Sequence, residues 1–201
     1  MISEAASHFK NGEIVIFPSD TLYGVGCIIN NEESIKKLYK IRKTPLSKPP
    51  LILAASFDQA ALYGNLNGRA KRLAQHFWPG PLTIVVKAKG PVPKIIQGCT
   101  GTIGIRVPDF PWLKGLIKAV GEPIVAPSAN LHGKPPPANF AQIDKKLLSL
   151  VDYAISLTNL RSDFEMLKIP STVVDLTVKP YKIVRAGYIS ESKIKEALGG
   201  A

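Results

Sequence analysis

Gly101-Thr-Ile-Gly-Ile-Arg-Val-Pro108 and, a short helical run later, Pro123-Ile-Val-Ala-Pro-Ser-Ala-Asn130 decide how this chain reads. Each opens as a buried β-strand, short, apolar and rich in β-branched residues. The first sets Arg106 inside an apolar strand, where a cation must meet an anion or bear a desolvation penalty of several kcal/mol. The second ends in Ser-x-Asn just past the strand, aiming Ser128 and Asn130 into the crevice at its carboxyl end. Together they predict a site for a phosphate-bearing ligand.

Working outward, residues 13–17 read as a strand that stops at Pro18 and delivers a loop over 18–26. Residues 31–41 repeat Ile35, Leu38 and Tyr39 at helical spacing, with Asn30 and Glu33 placed as a capping box, and Pro45 ends the helix after Arg42, Lys43 and Thr44. Further strands are predicted over 51–54, 82–87, 103–107, 124–126, 153–157, 172–176 and 182–184. Helices are predicted over 58–63, 68–77 and 112–120, with a last one from Ser190. Trp78 to Pro81 forms a turn, and the glycine and prolines of residues 133–137 form a loop. Strands and helices interleave throughout, which predicts a single domain over 1–201 of α/β (α+β) class, a mixed sheet covered by helices.

Lysine and arginine number 26 against 15 acids, a formal charge of +11, and residues 59–108 hold seven basic residues and no acid. Such a tract draws nucleotides, pyrophosphate or RNA backbone, or else is a solvated surface. Cys27 and Cys99 lie far apart with no histidine cluster near them, which argues against a metal knuckle or a disulfide framework. Neither the apolar core of a signal peptide nor a membrane-length apolar run is present, so a soluble cytoplasmic protein is expected. The one Gly-Lys pair, Gly133-Lys134, precedes proline, so there is no Walker A loop; no serine-hydrolase elbow or zinc-protease motif occurs.

Ser19, Asp20, Thr21 and Tyr23 cluster after the first strand, where, taken alone, an Asx turn accounts for them more often than a binding site does. Arg185, flanked by Val184 and Ala186, is a second arginine in an apolar strand end that asks for a second anion. The alternative is that each arginine braces an internal carboxylate, with Asp20, Asp109 and Asp175 available.

Six motifs in order, Pro18-Ser-Asp-Thr-Leu-Tyr-Gly24, Phe77-Trp-Pro-Gly-Pro-Leu-Thr83, Gly101 to Pro108, Ala126-Pro-Ser-Ala-Asn130, Ser171-Thr-Val-Val-Asp175 and Val184-Arg-Ala-Gly187, resemble the threonylcarbamoyl-AMP synthase (YrdC-like) family. The resemblance covers nearly the whole chain and fits the short form without an extra C-terminal domain. It implies a YrdC/RibB-like twisted mixed sheet with flanking helices and a basic concave cleft. It implies a nucleotidyltransferase that makes threonylcarbamoyl-AMP and pyrophosphate from L-threonine, bicarbonate and ATP. A downstream transferase complex then modifies tRNA. By the same resemblance Thr21, Tyr23, Arg106 and Ser171 would attend threonine. Arg42, Thr102, Ser128, Asn130 and Arg185 would address the nucleotide, and Arg42, Lys48, Ser128 and Asn130 would form the catalytic set. Magnesium would arrive with ATP, and no protein metal site is identified.

Three positions depart from the family pattern. Where relatives carry Lys-x-Arg-Pro, this chain reads Arg42-Lys43-Thr44-Pro45, and His132 stands where a serine is common. Arginine for lysine is not conservative at a phosphate. The altered segment and the acid-free tract keep two alternatives open: an RNA-binding module without synthase activity, or a related carbamoyl- or acyl-adenylate enzyme.

Overall fold

Apolar runs too short for helices become strands buried on both faces, and alternation along them sorts side chains into two layers. The computed structural model describes residues 1–160 and 164–199. In chain order its elements are α1 (Ile2–Lys10), β1 (Val15–Phe17), β2 (Gly24–Ile28), α2 (Glu32–Arg42), β3 (Leu51–Leu53), α3 (Phe57–Tyr63), α4 (Gly68–Phe77), β4 (Leu82–Lys87), β5 (Thr102–Arg106), α5 (Pro111–Val120), β6 (Ile124–Val125), α6 (Lys145–Leu148), β7 (Tyr153–Ala154), α7 (Leu157–Leu160), β8 (Thr172–Asp175), β9 (Lys182–Arg185) and α8 (Glu191–Ala197). The strands form one twisted mixed sheet in the order β7-β1-β2-β6-β3-β5-β4-β8-β9. Neighbours β7–β1, β3–β5 and β4–β8 run parallel, and the rest antiparallel.

On one face, Ile16, Ile52, Ile84, Ile105 and Val174 pack with Ile35 of α2, Leu73 of α4 and Ile194 of α8. On the other, Val15, Phe17 and Leu53 pack with Phe9 of α1 and Leu113, Leu116 and Ile117 of α5. The pleat therefore turns Thr83, Thr102, Gly104, Arg106 and Val173 away from α4 and α8. α1 and α5 cover that second face as far as Leu53 of β3; beyond them, over β5, β4 and β8, it is the floor of a cleft.

Four expectations change. The helix α1 is not marked by the reading of the first residues, although Ala5, Ala6 and Phe9 give it a buried stripe. β2 begins in residues 24–26, read as loop, and continues through residues 27 and 28, for which no element is predicted. The cap of α2 is Asn31, whose side chain accepts from Ser34 N at 3.0 Å, one residue later than expected, while Glu33 pairs with Lys36. The strand expected over 153–157 is cut to Tyr153–Ala154, because Leu157 begins α7. Both cysteines are free. Among the described residues no helix is long and apolar enough to cross a membrane.

Candidate active site

The loop between β1 and β2 is held by a serine turn: Ser19 Oγ donates to Leu22 O (2.6 Å) and accepts from Leu22 N (3.2 Å). This brings Asp20 and Thr21 against the end of β5. Asp20 Oδ2 accepts from Asp109 N at 3.1 Å and lies 2.5 Å from Arg106 Nη2. Arg106, 4% exposed, also donates Nη1 to Thr21 Oγ1 (2.8 Å) and Nε to Gly80 O (2.9 Å). Burial lowers its pKa, and the Asp20 carboxylate opposes that shift. Arg106 thus braces an internal carboxylate, as the alternative reading held, while still lining the inner part of the cleft. The Trp78 to Pro81 turn supplies part of its hold, since Gly80 also donates its N–H to Val107 O at 2.9 Å.

Ser171 faces the same recess from the start of β8. Its Oγ meets Thr83 Oγ1 at 2.9 Å, and both residues are buried. Arg185, at the end of β9, donates Nε (3.1 Å) and Nη2 (2.9 Å) to Ser171 O, and Nη2 also to Ser171 Oγ (2.9 Å). Gly187 permits this approach: a Cβ there would stand 2.4 Å from Pro170 O and 2.5 Å from Ser171 C. Arg185 has no carboxylate partner among the described residues. Its pKa is lowered by partial withdrawal from water and by the neighbouring charge of Arg106.

A larger groove adjoins the recess, about 430 Å³ against about 60 Å³. Leu51, Pro127, Ser128 and Arg185 line both, so the two compartments share a wall. Into the groove project Arg42, Thr44, Lys48, Thr102, His132 and Asp175. Arg42 is 9% exposed; it donates Nε to Ser128 O (3.1 Å) and Nη1 to Thr44 Oγ1 (3.0 Å), and makes no ion pair among the described residues. Burial pulls its pKa down to about 10. Lys48 Nζ stands 3.5 Å from His132 Nε2, and the N–H of His132 donates to Arg42 O at 2.8 Å. The three positions that depart from the family pattern therefore lie together, with Thr44 and His132 both bonded to Arg42.

Among the predicted residues, Thr21, Tyr23, Arg106, Ser171, Ser128 and Arg185 line the inner recess, and Arg42, Lys48, Thr102, Ser128 and Arg185 line the groove. Asn130 lines neither. Its Oδ1 accepts from Ser128 Oγ at 2.5 Å, and its Nδ2 donates to Lys134 O at 2.7 Å, tying the 131–137 loop to Ser128. The Tyr23 hydroxyl accepts from Leu157 N at 3.0 Å, and burial raises its pKa. Of the acid-free tract's seven cations, Arg106 alone lines either compartment; Arg69, Lys71 and Arg72 sit on α4, across the sheet. Thr83 was not singled out from the sequence, although a hydroxyl inside the apolar run Leu82–Lys87 was the available signal.

A mixed sheet whose face opposite α4 and α8 holds a small hydroxyl-lined recess beside a larger cationic groove defines an α/β protein with two adjoining polar compartments. The chain belongs to the Sua5/YciO/YrdC family, described as telomere recombination, which matches residues 7–187. It is 33% identical over 196 residues to the threonylcarbamoyl-AMP synthase of Pyrococcus abyssi, covering 97% of this chain and 56% of that protein. To a putative threonylcarbamoyl-AMP synthase of Methanocaldococcus jannaschii it is 34% identical over 184 residues, covering 92% and 84%. The structure of P. abyssi Sua5 complexed with L-threonine superposes with a TM-score of 0.90 at 32% identity, covering 98% of this chain and 57% of that one. E. coli YciO superposes at 0.84 with 27% identity, covering 96% and 91%. The chain thus spans little more than half the length of the Pyrococcus relatives.

Proposed function

We propose that this protein is a threonylcarbamoyl-AMP synthase, a nucleotidyltransferase using L-threonine, bicarbonate and ATP. The observation that carries the reading is Arg42, a buried guanidinium with no carboxylate partner among the described residues, in a groove that it shares with Lys48 and Arg185 and that adjoins a recess of buried hydroxyls. A cation withdrawn from water without a counter-ion is stabilised when a phosphate arrives. The names of the relatives and the threonine complex of P. abyssi Sua5 support the choice of substrates.

In this reading the amine of threonine condenses with bicarbonate, releasing water and giving a carbamate. A carbamate oxygen then attacks the α-phosphate of ATP, the bond to the β-phosphate breaks, and pyrophosphate leaves. No protein nucleophile is needed, so the chain acts by positioning and by neutralising charge. Thr21 and Ser171 hold the amino acid, on a floor stiffened by Arg106. Arg42, Lys48 and Arg185 face the phosphates, and Thr102 and Ser128 orient the nucleotide. Magnesium would supply charge neutralisation on the leaving group. Asp175 lines the groove and accepts from Thr177 only through Oδ1 (2.8 and 2.6 Å), so its other oxygen is the protein group that would help to hold such a metal. The adduct would pass to a tRNA-modifying transferase.

The test is pyrophosphate release with ATP and magnesium, omitting threonine or bicarbonate in turn, with mass analysis of the nucleotide product. Release that needs both and yields threonylcarbamoyl-AMP is expected. Release indifferent to either would overturn the reading, and a different adenylate would redefine the substrate.

A further inference from the structure

The end of α2 is built to place two side chains against each other. Lys43 takes left-handed backbone angles (φ 53°, ψ 36°), its N–H bonds Lys40 O at 3.1 Å, and Thr44 N–H bonds Tyr39 O at 3.0 Å. These two bonds are a Schellman closure, which fixes the residue after the turn beneath the last helical turn. Thr44 Oγ1 therefore stands where it accepts from Arg42 Nη1, while Ser128 O takes Nε from the opposite wall. Two anchors on two different nitrogens of a planar group fix both its direction and its plane. Of the five N–H donors of the guanidinium, three have no partner among the described residues, and Arg42 lines the groove.

We propose that Thr44 is a positioning residue for the nucleotide: its hydroxyl fixes the plane of the Arg42 guanidinium, so that the uncommitted donors meet the polyphosphate without reorganising. Thr44 acts through Arg42, and a flexible cation is replaced by an oriented one. The loss of freedom is met during folding instead of on binding, which raises affinity. This inference rests on the groove being a nucleotide site.

The test compares wild type with Thr44→Val, which keeps the shape and removes the acceptor, and Thr44→Ser, which restores it. ATP and inorganic tripolyphosphate serve as probes in calorimetry, and the KM for ATP is separated from kcat. Thr44→Val is expected to weaken both probes roughly tenfold, the scale of one hydrogen bond to a charged group. L-threonine affinity should stay unchanged, and Thr44→Ser should return to within about twofold of wild type. In an Arg42→Lys background Thr44→Val should have no further effect, because lysine has no Nη1 to hold. Equal probe affinity in Thr44→Val and wild type, or the same loss persisting beside Arg42→Lys, would overturn the proposal while leaving the synthase reading intact. A wild type that binds tripolyphosphate but forms no adenylate would remove the synthase reading and leave the Thr44 role to the binding series. A wild type that binds neither probe would overturn both.

Discussion

Of the three arginines at the cleft, Arg106 is paired with an acid, whereas Arg42 and Arg185 have none among the described residues, and that difference sets what removal does. Arg106 is paired with Asp20, whose Oδ1 is buried with no hydrogen-bond partner among the described residues. Arg106→Met strands that carboxylate, so a stability loss of about 3–5 kcal/mol is expected in urea unfolding. Arg185 is exposed on an edge strand and pairs with no acid among the described residues, so Arg185→Met should cost only about 1 kcal/mol while lowering ATP affinity roughly tenfold. Equal stability losses in the two variants would contradict these assignments. The need of Arg106 for an anion was legible in its apolar strand. The identity of that anion was not, because it depends on a loop 85 residues away folding against the end of β5. Arg185 reads alike in sequence, yet its hydrogen bonds go to Ser171. A strand pattern carries the demand for a partner but not the tertiary contact that meets it.

At the scale of elements, strands declared by continuous β-branched runs were legible, β4 and β5 above all. β2 was not, since Gly24 and Gly26 weaken any strand signal. The glycine at 26 answers to a neighbour: a Cβ there would stand 2.1 Å from Val125 O on β6. That constraint is invisible until β2 and β6 are side by side. The turn after β9 follows the same logic. Gly187→Ala should destabilise the fold by about 1–3 kcal/mol through overpacking against the Pro170–Ser171 backbone. It should also part Arg185 from Ser171, so threonine and ATP affinities fall together. Unfolding curves with separate calorimetric titrations check this, and a variant with intact stability and binding would refute the close-approach role. The helix caps show how near a sequence reading can come, since a choice between adjacent asparagines, Asn30 and Asn31, turns on which side chain reaches Ser34 N.

Over the whole molecule, the net charge of +11 is a poor guide to the site. The acid-free tract suggested an anion-binding surface, but α4 carries much of it to the far side of the sheet, and Arg42, Lys48 and Arg185 come from outside it. Periodicity records which side chains share a layer, whereas a one-dimensional count of charge does not record which face of the sheet they reach. Salt should therefore act on the cleft through few charges. Raising ionic strength is expected to weaken ATP binding while leaving zwitterionic L-threonine nearly unaffected, as paired calorimetric titrations at low and high salt would show. Equal salt sensitivity for both ligands would indicate that they share one cationic subsite.

The wall common to the two compartments has a thermodynamic consequence. Arg185 holds Ser171 in the recess and faces the groove, and Ser128 lines both. A ligand that settles this wall from one side spares the other ligand that ordering, so the two should bind with positive cooperativity. Linkage makes the effect reciprocal: whatever factor threonine adds to ATP affinity, ATP must add to threonine affinity. The shared wall thus biases the protein toward the doubly loaded state, the one in which both reacting partners are already in place.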